Sequence, residues 1–268
     1  MTNAGVLKID GIESHTVVLP HVFETPFRPD VIRKTYTNLL SHSFQKQGRY
    51  PMAGEMVSAE SRNTGQGIAR LARARGEGFA RAGQAAGVAG VRHGRVSHPP
   101  ESWKRIYKKI NNKEKQLALC SAIAATARKD IIENRGHKVE NILNFPIVVS
   151  DDIESIKKTK DLRKTLTALG LGEELKRADF SQKPRSGIAR RRHRRARSAV
   201  SVLIVVGNDE IIGRLSRSIP GIDIRQVKKL SVLDLSPGSK PGRLTIFSEN
   251  AVKQLNDLKQ VMELTHRT

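Results

Sequence analysis

The stretch AVSVLIVVGNDEIIGRLSRSIPGIDIRQV, Ala199 to Val227, decides the fold class. Its first part, AVSVLIVVG, is an apolar run closed by Gly207 and reads as a strand. NDEIIGRLSRS reads as a helix, with Asn208, Asp209 and Glu210 as its cap and dipole-matched first turn. IDIRQV reads as the next strand. A turn at SPGSKPG (236–242) then leads to a strand, LTIFS (244–248), and a final helix, ENAVKQLNDLKQVMEL (249–264). Strands alternating with helices specify an α/β fold whose sheet is mainly parallel and carries helices on its faces.

Working outward from there, GEELKRAD and TKDLRKTLTALG read as two short helices, the second ended by Gly170, and FPIVVSDD as a buried strand. NNKEKQLALCSAIAATARKDIIENRG (111–136) reads as a helix with Leu117, Cys120, Ala124, Ala127 and Ile131 on one stripe and Gly136 as its stop. Cys120 on that stripe is a small core residue. Near the N-terminus VLKIDG and HTVVLP read as two short strands, and PDVIRKTYTNLLSHSF as a helix with Pro29 near its start. The expected architecture is a single globular α/β body, residues 1–44 and 104–268, interrupted by a long extended internal loop, 45–103.

The chain has 268 residues, 48 Lys plus Arg against 26 Asp plus Glu, and a formal charge of +22. Such an excess points to a polyanionic partner or a membrane surface. Counting Gly, the apolar share comes near the ordinary value of about 45–50%, which argues against wholesale disorder. The one cysteine excludes an intramolecular disulfide framework. MTNAGVLKIDG has no signal pattern, and the longest apolar run, VSVLIVVG, is too short to span a bilayer. A soluble, intracellular protein is expected.

Most of the charge lies in two segments. Within SRNTGQGIARLARARGEGFARAGQAAGVAGVRHGRVSHPP, the residues from Arg62 to Arg95 hold eight glycines, seven arginines, no lysine and one acid, Glu77. From Gln45 to about Pro100 neither a helical nor a strand period is sustained. Gly makes ordering costly, so the loop is expected to have no architecture of its own and to take its shape from an external scaffold. As a hairpin-like excursion of about 28 residues each way, it reaches at most roughly 90–100 Å when fully extended. Arg presents a planar fork that grips phosphate in two places and stacks on bases, unlike the point charge of Lys. Phe79, without local apolar partners, is the candidate for base stacking, whereas Trp103 is read as packing where the loop returns to the body.

The second segment, KPRSGIARRRHRRARSA, carries Lys183, Arg185, Arg190, Arg191, Arg192, Arg194, Arg195 and Arg197 with no acid, a charge of +8. Helical from about Ile188, its arginines surround the axis and leave no stripe to pack on a sheet. Two basic runs with a Gly-rich excursion favour RNA. No helix-turn-helix, finger or basic-zipper pattern is present for DNA, and irregular Arg/Gly extensions suit folded RNA.

No catalytic, cofactor or metal residue is expected. TGQGIAR begins like a dinucleotide fingerprint, but Arg70 stands in place of the third Gly and no strand precedes it. VVGNDEIIG follows a strand and also lacks the full pattern. Asp151 and Asp152 read as a cap and first turn. The eight histidines are scattered, with no second ligand at metal spacing from His93 or His98.

The blocks GRYPMAGEMVSAESRNTGQGIARLARARGEGFARAGQAAGVAGVRHGRVSHPP, KPRSGIARRRHRRARSAVSVLIVVG and LSVLDLSPGSKPGRLTIFSENAV resemble the large-subunit ribosomal protein L-four family in its archaeal and eukaryotic form. The resemblance covers nearly the whole chain. It implies a structural, non-enzymatic, cytoplasmic constituent of the large ribosomal subunit: an α/β body on the outer surface and a loop threaded through large-subunit RNA to the polypeptide exit tunnel. The tunnel tip then falls at Arg70, Leu71, Arg73 and Arg75, and the RNA-contacting flanks at Arg49, Arg62, Arg81, Arg92 and Arg95. Lys183 to Arg197 match a second RNA-contacting element. The implied partners are large-subunit ribosomal RNA, a neighbouring ribosomal protein at the tunnel constriction, and the nascent chain. The second basic segment departs from the pattern: family members are richer there in Gly and Lys and reach the strand in fewer residues. Two rival readings remain at this stage, an α/β RNA-modifying or nucleotide-dependent enzyme with basic docking extensions, and a free RNA-binding regulator.

Overall fold

The computed structural model describes residues 3–142 and 144–257. They form two compact units, one of residues up to Leu40 together with those from Lys108 onward, the other of residues 41–107. The first unit is an α/β body. Its chain opens with a hairpin, β1 (Asn3–Leu7) and β2 (Glu13–Val18), followed by helix α1 (Pro29–Ser41). The second unit contributes two short strands, β3 (Ala59–Ser61) and β4 (Ala72–Ala74). Back in the body come α2 (Asn112–Ala125), α3 (Lys129–Arg135), β5 (Ile147–Val149), α4 (Thr159–Leu166) and α5 (Gly172–Phe180). The basic segment forms β6 (Lys183–Pro184), α6 (Gly187–Arg191) and β7 (Ala196–Arg197). The chain closes with β8 (Leu203–Val206), β9 (Asp223–Gln226), the single turn α7 (Val232–Leu235), β10 (Thr245–Ser248) and α8 (Glu249–Asp257).

Six strands make one sheet in the order β2-β1-β5-β10-β8-β9, antiparallel between β1 and β2 and parallel across every other pair. Side chains alternate between two cores. Leu203, Val205, Phe247 and Val148 face one, with Ile32 of α1, Ala118 and Ala122 of α2 and Val252 of α8. Ile204, Val206, Ile246, Ile147 and Val149 face the other, with Ile132 of α3, Leu162 of α4 and Leu175 of α5. Burial on both faces explains why β5 and β8 are uninterrupted apolar words in the sequence and why β10 carries no charge, its Thr245 and Ser248 being buried.

Three expectations are corrected. The segment after Gly207 is a 3-10 helix from Ile212 to Arg217 rather than an α-helix from Asn208, because Asn208 turns the chain through its own side chain, Oδ1 accepting from Glu210 N at 3.2 Å. Residues 111–136 are two helices broken at Thr126, whose hydroxyl donates to Ile123 O at 2.6 Å. There the buried surface extends around α2 through Ala118, Ser121, Ala122, Ile123 and Ala125, so no single stripe exists; Leu117, Ala127 and Ile131 are half-buried, and Ile132 takes the core position. The helical run that begins with α4 stops at Gly170, as expected: it takes the left-handed φ of 82° in the turn that leads to α5. Trp103, expected to pack, is exposed. The part of the final helix expected beyond Asp257, to Leu264, lies outside the described residues.

Arg243 is the largest fully buried side chain. Its Nε donates to Ser201 O at 2.9 Å, Nη1 to Asp234 O at 3.0 Å, and Nη2 to the Asp223 carboxylate at 2.6 Å. It ties β10 to the chain entering β8 and β9, and that is why a cation stands beside the apolar LTIFS.

Candidate nucleic-acid interface

The basic segment is a hairpin planted between α5 and β8. Lys183 pairs with Arg197 and Pro184 with Ala196, and Arg185 N donates to Arg195 O at 2.8 Å. Only Gly187–Arg191 is helical, so the expected basic helix from Ile188 through Arg197 is not formed. The turn ends as His193 takes φ 59° and Arg194 N returns to Ala189 O at 3.0 Å. Consecutive like charges disfavour a longer helix, and α6 buries no residue that offsets their repulsion. Lys183, Arg190, Arg191, Arg192, Arg194, Arg195 and Arg197 are exposed, and Arg185 is half-buried. Among the described residues, none of the eight has a carboxylate within 4.0 Å, whereas Arg163, Arg177 and Arg225 of the same body each do.

What holds this charged hairpin to the body is a buried polar cluster at its root. Glu174 of α5, fully buried, accepts from His137 Nδ1 (2.7 Å), Lys138 N (3.0 Å), Arg177 Nε (2.8 Å) and Ser201 Oγ (2.8 Å). Burial, the largest influence, pushes its carboxyl up. The bonds from Arg177, His137 and Lys138 N outweigh it and hold the group at about 2. His137 Nε2 faces Leu244 N at 3.4 Å, and burial lowers the imidazole pKa, so the ring is neutral with its proton on Nδ1. Above the cluster, Arg177 donates to Val200 O at 3.2 Å and Ser181 Oγ accepts from Ala199 N at 2.7 Å. Both ends of the hairpin are therefore clamped.

The second unit carries the other arginines. Contrary to the expectation of no intrinsic architecture, it has a small scaffold of its own. Ala59 pairs with Ala74 and Ser61 with Ala72; a third strip joins through the Arg73–Ala85 bridge and Ala86 N donating to Ala72 O at 2.9 Å. Three-residue strands are too short to carry a readable period. The two arms also meet backbone to backbone: Arg49 N donates to Pro100 O at 3.3 Å, and a Cβ on Gly54, at φ 82°, would lie 2.7 Å from Gly94 O. Glycine there permits the approach.

Arg62 and Arg70 lie in the 62–71 connection between β3 and β4, where every residue is exposed, Leu71 included. Arg73 and Arg75 lie on or beside β4: Arg73 Nη1 donates to Gly83 O at 3.0 Å, and Arg75 is paired with Glu60. Arg49 Nη2 donates to Ala53 O at 2.7 Å and Arg95 lies 3.7 Å from Glu55. Arg81 is half-buried and Arg92 exposed, as is Phe79. The eight thus divide into scaffold-binding arginines, chiefly Arg49 and Arg73, and outward-facing ones, Arg62, Arg70 and Arg92.

The carboxyl ends of β8 and β10 mark the crevice where open α/β sheets bind ligands, since the chain leaves toward opposite faces there. Here a carboxylate fills it. Glu154 accepts from Gly207 N at 2.7 Å, Asn208 N at 3.3 Å and Ser248 Oγ at 2.7 Å. Asp151 similarly caps α8 through Asn250 N at 2.7 Å. Asp151 reads in the sequence as a local cap, and Glu154 carries no signal there; the partners of both are distant strands and helices that a linear reading does not bring near. Among the described residues no group of three or more His, Cys, Asp or Glu is arranged to hold a metal ion, and no helix is long and apolar enough to cross a membrane. Cys120 is buried in the core, which pushes its thiol up to about 11.

The sequence model of the Ribosomal protein L4/L1 family matches residues 17–258. Curated relatives include the large ribosomal subunit protein uL4 of Methanococcus aeolicus, 39% identical over 94% of this chain and 97% of its own length. The protein of the same name from Methanococcus vannielii is 40% identical over 95% and 99% of the two chains. That of Pyrobaculum aerophilum is 41% identical over 94% and 89%. The family model covers most of the chain and these relatives match it over nearly its whole length, and the chain belongs to the Ribosomal protein L4/L1 family.

Proposed function

We propose that the chain is a structural constituent of the large ribosomal subunit in the cytoplasm and binds large-subunit ribosomal RNA through two separate basic elements. The observation that carries this reading is the 183–197 hairpin: eight cations with no carboxylate partner among the described residues, held out by a buried clamp. Such a surface is electrostatically unfavourable alone and is matched by phosphates, whose neutralisation releases condensed counterions. Guanidinium forks bridge oxygens from RNA strands that otherwise repel each other.

The second element is the 41–107 unit. In this reading its arms, with Arg81, Arg92 and Arg95 along them and Arg49 bracing one arm, follow a path through RNA, and the tip at the exit tunnel is formed by Arg70, Leu71, Arg73 and Arg75, with Arg73 bracing it through Gly83 O. A second ribosomal protein at the constriction and the nascent chain are the neighbours this placement implies. The relatives' names and the family support the subunit assignment, and the wholly exposed connection supports the tip. The enzyme reading is disfavoured by Glu154, whose carboxylate sits where a nucleotide phosphate has to be received. The deciding experiment is a sedimentation gradient of a lysate at physiological salt. Co-sedimentation with the large subunit, lost on RNase treatment, is expected; a pool mainly at the top of the gradient favours the free regulator.

A further inference from the structure

Phe180 is the last residue of α5 and is 89% exposed, the highest exposure of any large hydrophobic side chain among the described residues. The helix explains why: Glu174, Leu175 and Ala178 face inward, and Phe180, two residues past Ala178, is turned to the opposite side. A single exposed apolar residue is ordinary on a protein surface. Its surroundings are not. Phe180 borders a concavity of about 670 Å³ whose other walls include Lys183, Arg185, Arg197 and Val200. Arg185 lies half-buried there with its Nε buried and without a hydrogen-bond partner. Ser181, the next residue, accepts from Ala199 N and ties the end of α5 to the hairpin root.

We infer that this concavity is a nucleotide-binding subsite of the RNA surface: one unpaired base stacks on the Phe180 ring while the adjoining phosphate is taken by Lys183, Arg185 and Arg197. An aromatic face beside three cations, with no acid on its walls, fits a base with its phosphate better than an apolar peptide, which the cations do not serve. The inference rests on the RNA reading above and adds an element that basic composition alone does not supply, a stacking platform outside the 41–107 unit.

The test uses the full chain and single-stranded oligoribonucleotides about 12 residues long, with uracil bases throughout or with abasic sites at every second position, titrated by anisotropy. Phe180→Ala is expected to weaken binding of the base-containing strand by at least about 5-fold, leaving the abasic strand and the salt slope unchanged, while Phe180→Trp restores binding. Lys183→Ala is expected instead to lower the slope for both strands by about 0.7. Equal binding of wild type and Phe180→Ala to the base-containing strand, with folding intact by circular dichroism, overturns the inference and leaves the RNA reading standing. Salt-independent or absent binding by the wild type removes both. A photo-crosslink from residue 180 in the assembled particle to a protein rather than to RNA also overturns it.

Discussion

Replacing Arg190, Arg191 and Arg192 together by Gln tests the electrostatic reasoning quantitatively. These residues are exposed, α6 buries nothing, and the bonds that shape the hairpin, Arg185 N to Arg195 O and Arg194 N to Ala189 O, are backbone bonds that the substitutions leave alone. The fold is therefore expected to survive with unchanged or slightly higher thermal stability, because like-charge repulsion falls. Each phosphate contact contributes about 0.7–0.9 to the slope of log affinity against log salt, so losing three lowers the slope by about 2–3. Between about 50 and 200 mM salt this makes the ratio of wild-type to variant affinity shrink by about 30-fold. The assay is filter binding of the full chain to a large-subunit RNA fragment across a salt series, with Arg163→Gln as control, since that guanidinium is already paired with Asp179. Parallel lines for wild type and the triple variant would refute the claim that the hairpin meets phosphate.

Three further outcomes are expected. Glu174→Ala leaves His137, Arg177 and Ser201 without their shared acceptor and is expected to cost about 3–5 kcal/mol in urea unfolding. In the wild type the Glu174 carboxyl is held at about 2, below its ordinary 4.5, so the stability it contributes is complete above about pH 4.5 and lost as pH falls toward 2; acid unfolding that is insensitive to Glu174→Gln contradicts this. Gly54→Ala forces an L side chain to φ 82° with its Cβ 2.7 Å from Gly94 O, so protease sensitivity of the 41–107 unit is expected to rise while unfolding of the body is unchanged. Glu154→Ala is expected to destabilise the body by about 2–3 kcal/mol by orphaning Gly207 N and Ser248 Oγ, without creating nucleotide binding; saturable nucleotide binding by wild type or variant revives the enzyme reading.

The sheet was legible because its parallel strands are buried on both faces: VLIVV has no polar residue, LTIFS only the small hydroxyl residues Thr245 and Ser248, and glycines and prolines punctuate them. The two N-terminal strands were legible as short strands, but not their antiparallel pairing at the sheet edge, because the exposed β2 carries no alternating apolar pattern. Helical extents were less so. The Thr126 break and the Asn208 turn are set by single side-chain bonds that periodicity does not register. The basic hairpin was located by composition but given the wrong conformation, since charge density says where a polyanion binds and not how the backbone bends. Phe180 was invisible in the sequence. At the end of an amphipathic helix it looks like one more apolar residue, and only the turn count from Ala178 and the neighbouring Arg185 expose its position. In the 41–107 unit, arginines that look equivalent in the sequence separate into those spent on the scaffold and those left for a partner.

The most direct test of the account is the rate of tryptic cleavage after Arg62 and Arg70, compared between the free protein and purified large subunits and again after RNase digestion of those subunits. RNA enclosing the exposed 62–71 connection predicts fast cleavage in the free chain, protection in the particle, and loss of protection once the RNA is removed. Equal rates in all three states contradict it.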